Sequence, residues 1–235
     1  VPETNYTVTV DALLAGVTER TRIVYLANPN NPTGTMLTKE EVTALRDGLR
    51  DDILLVIDAA YAEYVTRNDY TAGIELVDAG ENVVMTRTFS KIYALGAVRL
   101  GWAYCPAVIA DILNRIRPPF NVTSAAQAAG IAAIGDVEFL TRSRDHNTAW
   151  LPWLAERLEE CGLDVIPSFG NFVLARFPED GVHDAASAMA FFASRGIIPR
   201  STASAGIPDG IRITVGIEDE MRAVIDAVSA FMDQK

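Results

Sequence analysis

The chain is poor in the residues that most often announce a metal centre or a covalent framework. Its 235 residues include two cysteines, Cys105 and Cys161, and two histidines, His146 and His183. Neither cysteine stands in a Cys-x-x-Cys or other metal spacing, and the histidines lie far apart, so no metal site is expected. The sequence leaves a single Cys105–Cys161 bridge open. Two scattered thiols in a chain of this size point instead to reduced core residues and a cytoplasmic setting. Positive charge is also short, at 20 Lys+Arg against 31 Asp+Glu and a net charge of -11. That balance argues against nucleic acid as a partner, which calls for a cationic face. It still admits a small anionic ligand, because a few arginines can build a local cationic pocket. No apolar run approaches the ~20 residues that cross a bilayer, and no signal peptide is evident.

What is present is ample material for a core, with 49% hydrophobic residues. Asp11–Gly16 reads as a short amphipathic helix. Arg22–Ala27 is an apolar run that reads as a strand buried on both faces, ending in a Pro/Asn loop. Thr38 followed by Glu41 is a capping box opening a helix over Lys39–Leu49. Ile53–Ile57, Asn82–Arg87 and Leu100–Cys105 read as further strands, with loop and helix over Glu63–Ala79. Strands alternating with helices predict an α/β domain with a mainly parallel sheet and helices on both faces. Beyond Pro118-Pro119 the texture changes. An Ala-rich helix is expected over Ser124–Ile134, and a long helix over Phe139–Cys161 with Pro152 inside it and Gly162 as its stop. Strand Phe172–Phe177, helix Asp184–Ser194, strand Ile211–Val215 and helix Ile217–Met232 follow, the last with Glu218, Asp219 and Glu220 at its positive end. This second half reads as a smaller α+β domain, giving a division into residues 1–137 and 138–235.

The residues able to do chemistry fall at or just after the carboxyl ends of the expected strands, where open α/β sheets bind ligands. Asn31 lies in Asn28-Pro29-Asn30-Asn31-Pro32-Thr33-Gly34, a loop stiffened by two prolines. Asp58 ends the second strand, where a carboxylate needs either a ligand or a turn to cap. Tyr61 follows three residues on, as a ligand group or as a core aromatic with Tyr25 and Tyr64. Lys91 follows Thr86-Arg87-Thr88-Phe89-Ser90. Burial beside a cation would lower its pKa and make its amine a nucleophile. Thr88, Ser90 and Arg99 could cradle a phosphate. Arg99 opens the fourth strand, so an antiparallel strand would bring it to the same edge as the others. Arg212, inside Ile211–Val215, calls for an anionic ligand or a structural acid, and Arg200 is a second candidate for the same pocket. An amine, an acid, a phenol, an amide and a phosphate-binding cation are the groups needed to hold pyridoxal 5'-phosphate (PLP).

The ordered run of NPNNPTG, DAAYAEY, RTFSK, an arginine eight residues after the lysine, SFGNFVL and IRITVG resembles the fold-type-I PLP-dependent aminotransferases, most closely their histidinol-phosphate aminotransferase branch. The resemblance covers essentially the whole chain. It implies that Lys91 carries the cofactor and that Asp58 partners the pyridine nitrogen. Tyr61 and Asn31 would meet the phenolic oxygen, and Thr88, Ser90 and Arg99 the phosphate. It gives Arg212 to the substrate's α-carboxylate, and Asn171 and Arg200 to the substrate side. It further implies transamination between a small amino donor and a 2-oxo acid, by a homodimer with shared active sites. Two departures stand out. Ala59 replaces an acidic residue after the aspartate, and Ala203-Ser204-Ala205-Gly206 lacks an aromatic residue.

An aromatic amino-acid aminotransferase, a decarboxylase of a phosphorylated amino acid, and a fragment without cofactor are the competing readings. The chain starts at Val1-Pro2-Glu3, and the resemblance implies a longer enzyme. About a third is then expected to be absent, with a glycine-rich phosphate turn in it. A polypeptide truly starting at Val1 is expected to bind the cofactor weakly.

Overall fold

The computed structural model describes residues 1–80 and 82–234. Two units share them, Val1–Pro29 with Met36–Arg144, and Asn30–Thr35 with Asp145–Lys235.

The first unit opens with a short antiparallel pair, β1 (Glu3–Thr4) and β2 (Thr7–Val8), and helix α1 (Val10–Ala15), capped by the Thr9 side chain. Then come β3 (Ile23–Ala27), α2 (Lys39–Gly48), β4 (Leu54–Asp58), α3 (Ile74–Ala79), β5 (Val83–Thr88) and β6 (Gly101–Tyr104). Helices α4 (Ala107–Ile116) and α5 (Ser124–Gly135) follow, and α6 (Val137–Glu160) runs on into the residues of the second unit. The sheet order is β3-β4-β5-β6. The first three strands are parallel and β6 runs antiparallel to β5, setting Thr88 opposite Gly101. The capping box forms as expected: Glu41 N–H donates to Thr38 Oγ1 at 3.3 Å, and Thr38 N–H donates to Glu41 Oε2 at 2.7 Å. Leu45, Ile53, Leu55, Ile57 and Met85 are fully buried and form the centre of this core.

Two expectations need correction here. The strand at Arg22–Ala27 is not buried on both faces, since Ile23 is 46% and Tyr25 72% exposed. It is an edge strand with one face open, a position that composition alone does not separate from a central one. Helix α4 was not anticipated. None of its residues is buried, although Val108, Ile112, Leu113 and Ile116 give it an apolar stripe.

The second unit is built on an antiparallel sheet, order β7-β8-β10-β9, from β7 (Asp164–Ile166), β8 (Phe172–Arg176), β9 (Arg200–Ser201) and β10 (Gly210–Thr214). Helices α7 (Ala185–Ser194) and α8 (Glu218–Met232) complete it. Val173, Ala175, Ile211 and Ile213 follow the period of two that strands impose, and pack with Leu154 and Leu158 of α6 and with Phe177, Phe192 and Phe231. Pro152 lies within α6, and Gly162 (φ +87°) ends it in the left-handed region. Strand β9 pairs over Ser201 and Arg200 alone. The next residue back is Pro199, which has no N–H to extend the ladder.

Candidate active site

In the first unit the end of β4 and the turn after β5 carry the expected residues. Asp58 lies beside Thr86 in the parallel ladder, and its carbonyl accepts the Asn28 N–H at 2.9 Å. Its carboxylate is exposed and accepts the Ala60 N–H at 3.1 Å, so the turn supplies a partner. Asp58 is the last residue of β4, so its carboxylate leaves the apolar run at the strand end and reaches solvent. Tyr61 is buried at 3% exposure, and Tyr25 and Tyr64 do not share that depth. The Lys91 Nζ lies 4.9 Å from the centroid of the Tyr61 ring. An ammonium over a phenol face is held by the ring quadrupole, an attraction of about 0.5–1 kcal/mol where water still reaches it. Lys91 is half-buried rather than enclosed.

Thr88, Ser90 and Arg99 form one hydrogen-bonded group. The Ser90 N–H donates to Thr88 Oγ1 at 3.0 Å, and Thr88 Oγ1 donates to the Leu100 carbonyl at 3.5 Å. The Arg99 guanidinium donates to Ser90 Oγ at 3.3 Å and to the Gly96 carbonyl at 2.8 Å. Arg99 closes a short helical turn at 96–98 in the left-handed region, φ +57°, which costs a residue with a Cβ about 1 kcal/mol or more. The two guanidinium bonds hold it there. The antiparallel run of β6 brings Arg99 back beside Ser90, as its place at a strand start required. Two hydroxyls and an exposed guanidinium are the donor set of a phosphate cradle.

Buried polar contacts of Asn28, Tyr70, Glu63 and Arg87 were not foreseen. Asn28, fully buried, donates from Nδ2 to the Leu37 carbonyl at 3.0 Å and accepts the Leu37 N–H at 2.8 Å. The Tyr70 hydroxyl donates to the Asn28 carbonyl at 2.7 Å. Glu63 and Arg87 make an ion pair of 2.6 Å with side chains only 8% and 15% exposed. Burial, then Glu63 and Tyr61, push the Tyr64 phenol up to about 12. Burial likewise raises Tyr70, with Arg87 opposing it. The buried polar Asn28 within NPNNPTG was the one sequence signal for these contacts; the ion pair joins residues 24 apart and left none.

In the second unit, Asn31 and Arg212 meet. The Arg212 guanidinium donates to Asn31 Oδ1 at 2.5 Å and lies 4.9 Å from the centroid of the Phe172 ring. An amide and an aromatic face thus hold the guanidinium. Arg200 is exposed, and the β9–β10 ladder sets it opposite Arg212. Arg195, Arg200, Arg212, Ile197, Ile213 and Val224 line a cavity of about 520 Å³. The loop around Asn31 is self-bonded: Asn30 N–H donates to the Thr35 carbonyl at 2.8 Å and Gly34 N–H to the Asn30 carbonyl at 2.9 Å. Peptide bonds before Pro29 and Pro32 are cis. Gly34 (φ +80°) lies so close to Ser168 that a Cβ would collide with its Oγ, and its carbonyl accepts the Phe169 N–H at 2.8 Å. Asn171 is half-buried, and its carbonyl accepts the Val215 N–H at 2.9 Å. Asn147 donates to the Gly170 carbonyl at 3.0 Å, and His146 Nε2 meets the Gly216 carbonyl at 2.8 Å.

Among the described residues no three His, Cys, Asp or Glu side chains stand together as metal ligands would. Cys105 and Cys161 are free thiols, which decides the question of a bridge left open above. No helix among those residues is long and apolar enough to cross a membrane.

The family model described as aminotransferase class I and II matches residues 1–228. A histidinol-phosphate aminotransferase of Paramagnetospirillum magneticum is 56% identical over 231 residues, 98% of this chain and 64% of its own length. One from Ruegeria pomeroyi is 52% identical over 235 residues, 100% of this chain and 64% of its own. The solved structure of histidinol-phosphate aminotransferase from Sinorhizobium meliloti in complex with pyridoxal-5'-phosphate has a TM-score of 0.85 at 30% identity, covering 95% of this chain and 61% of that one. The chain spans a little under two thirds of the length of these relatives. With the motif order, the mixed four-stranded sheet and the antiparallel second sheet all in place, the chain belongs to the class I and II aminotransferases.

Proposed function

We propose that the protein is a PLP-dependent aminotransferase that moves an amino group between a donor such as histidinol phosphate and a 2-oxo acid such as 2-oxoglutarate. The observation that carries this reading is the placement of a hydroxyl–guanidinium cradle, Thr88, Ser90 and Arg99, in the same turn region as an amine resting on Tyr61. The donor set of the first unit fits the cofactor: the cradle for the phosphate, Asp58 for the ring nitrogen and Tyr61 for the phenolic oxygen, a role the family resemblance also gives to Asn31. When bound, PLP supplies an aldehyde that takes up the amino group and a ring that spreads the electron pair left by α-proton loss. Asp58 keeps a proton on the ring nitrogen, and its exposed carboxylate is open to that partner. Lys91 would hold the cofactor's aldehyde, and its amine would move the substrate's α-proton, as base and then as acid. In the second unit Arg212, held by Asn31 and Phe172, offers a guanidinium to a carboxylate or phosphate, and Arg200 and Asn171 add to the substrate side.

The names borne by the similar proteins support the choice of donor. A cytoplasmic homodimer completes the reading. Two free thiols suit a reducing compartment. Exposed Val108, Ile112, Leu113 and Ile116 on α4, with Ile131 and Ile134 on α5, suit self-association.

The test is direct. PLP should give a visible absorbance that borohydride fixes to the Lys91 peptide, and histidinol phosphate with 2-oxoglutarate should yield a keto product. Lys91→Ala should lower that turnover by about 10³-fold or more. Equal turnover by that variant would reject the assignment, and carbon dioxide in place of keto product would mark a decarboxylase.

A further inference from the structure

We infer that Glu63 and Arg87 are a positioning pair that sets Tyr61 against Lys91, an inference that rests on the cofactor reading above. The two bonds run from Arg87 Nε and one terminal nitrogen to the same oxygen, Glu63 Oε1, at 3.2 and 2.6 Å. Both side chains are nearly buried, whereas other Arg–carboxylate pairs of the described residues, such as Arg50–Asp52 and Arg222–Glu218, lie in solvent. A surface pair adds little to stability. A buried one costs desolvation that its attraction barely repays, so apolar residues of the same size would serve stability as well. What an ion pair adds is direction, and the direction here joins two segments of the proposed site.

Glu63 lies in the helical turn 62–64 that directly follows Tyr61, whose carbonyl accepts the Tyr64 N–H at 3.0 Å. Arg87 is the strand residue directly before Thr88, four residues from Lys91. The pair therefore staples the turn bearing Tyr61 to the strand that leads into the lysine. On β6, Trp102 is the cross-strand partner of Arg87, and its ring lies 5.7 Å from the guanidinium carbon. From β5, Arg87 thus touches two other segments at once, the Glu63 turn and β6. Tyr64, Tyr70 and Tyr93 crowd the same charges, and burial raises all three phenols, so they stay protonated around the pair. Removing the carboxylate would leave a nearly buried guanidinium without its counter-charge, and the Tyr61 turn would be free to swing from Lys91.

The experiment uses the full chain and Glu63→Gln, with Glu63→Asp as the charge-keeping rescue and Arg87→Lys as a milder second variant should the first not fold. The chain has three lysines, Lys39, Lys91 and Lys235, so mass spectrometry can follow acetylation of each amine without cofactor. In Glu63→Gln the Lys91 rate relative to Lys39 should rise about threefold, the size of one lost cation–π contact. Glu63→Asp should recover most of the wild-type ratio. With PLP added, the absorbance of the lysine-bound cofactor should titrate at a shifted pH in Glu63→Gln. A wild-type ratio and an unmoved titration in Glu63→Gln, whatever its melting temperature, would leave the pair a structural contact and overturn the inference. A wild-type chain that takes up no PLP would defeat the cofactor reading instead, while the acetylation ratio still decides the pair.

Discussion

The two units differ in how completely they bury their own elements. In the second, β8 is buried at Phe172–Ala175, and Phe192 and Phe231 are at most 2% exposed. In the first, the start of β5 is equally deep and β4 is buried at Leu55 and Ile57, but β6 is exposed along its length and α4 buries nothing. An antiparallel sheet backed by helices on one face closes with few strands. A parallel sheet is stable when both faces are covered, and an uncovered end strand marks a surface where something else packs. The candidate residues differ in the same way. Those of the first unit cluster at the ends of β4 and β5 and in the turns that follow them. Those of the second are single side chains, with Arg200 and Arg212 placed by a cross-strand register.

That contrast can be broken most sharply through stability. Phe231→Ala, deep in the second core, should cost about 3–5 kcal/mol, whereas Ile116→Ala on α4, 72% exposed, should change stability by no more than about 0.5 kcal/mol. Urea melts of both variants check this, and equal costs would show that α4 is covered in solution. Next in size is association. Sedimentation should read twice the 25.5 kDa chain mass, and Ile112→Asp should shift it toward the monomer. A wild-type monomer that Ile112→Asp leaves unchanged would remove the role given to this face.

The smallest effect concerns His183 at the end of the second unit. Its Nδ1 meets Asp180 Oδ2 at 2.8 Å, and its Nε2 meets the Gln234 carbonyl at 3.0 Å. The Asp180 bond, then the Gln234 carbonyl, hold the imidazole above its ordinary 6.5. The His183 N–H, then its ring, bring Asp180 down from 3.8 to about 2. The histidine's contribution is complete below pH 6.5 and is lost as pH rises through its raised value. The aspartate's is complete above 3.8 and is lost as pH falls through about 2. The latch should therefore hold best between about pH 4 and 6.5. Amide exchange at Gln234 should quicken on the alkaline side of that window, and a flat profile would show that the contact is not kept in solution.

Much of the architecture was legible because it is local chemistry. Thr38 and Glu41 three residues apart are enough to cap a helix, and Gly162 is enough to end one. The proposed amine Lys91, the proposed acid Asp58 and the proposed cradle of Thr88, Ser90 and Arg99 could be picked out as candidates because they stand close together in short motifs. What stayed hidden depends on distance along the chain. Glu63 and Arg87 are separated by 24 residues and Asn31 and Arg212 by 181, and no local pattern links them. The openness of β3 was hidden for a related reason: Ile23-Val24-Tyr25-Leu26 reads the same in a central strand as at an edge, and neighbours decide which it is.

Gly34 gives the second unit a root in the first third of the chain. Its carbonyl is bonded to Phe169 and its missing side chain makes room for Ser168, so Asn30–Thr35 travel with residues that come more than a hundred positions later. A polypeptide expressed from Asp145 onward would leave that loop behind and deprive Arg212 of its amide. The later unit is therefore separable on paper only; any dissection of this protein has to carry a six-residue graft from upstream, or what it isolates will be a core stripped of its grip.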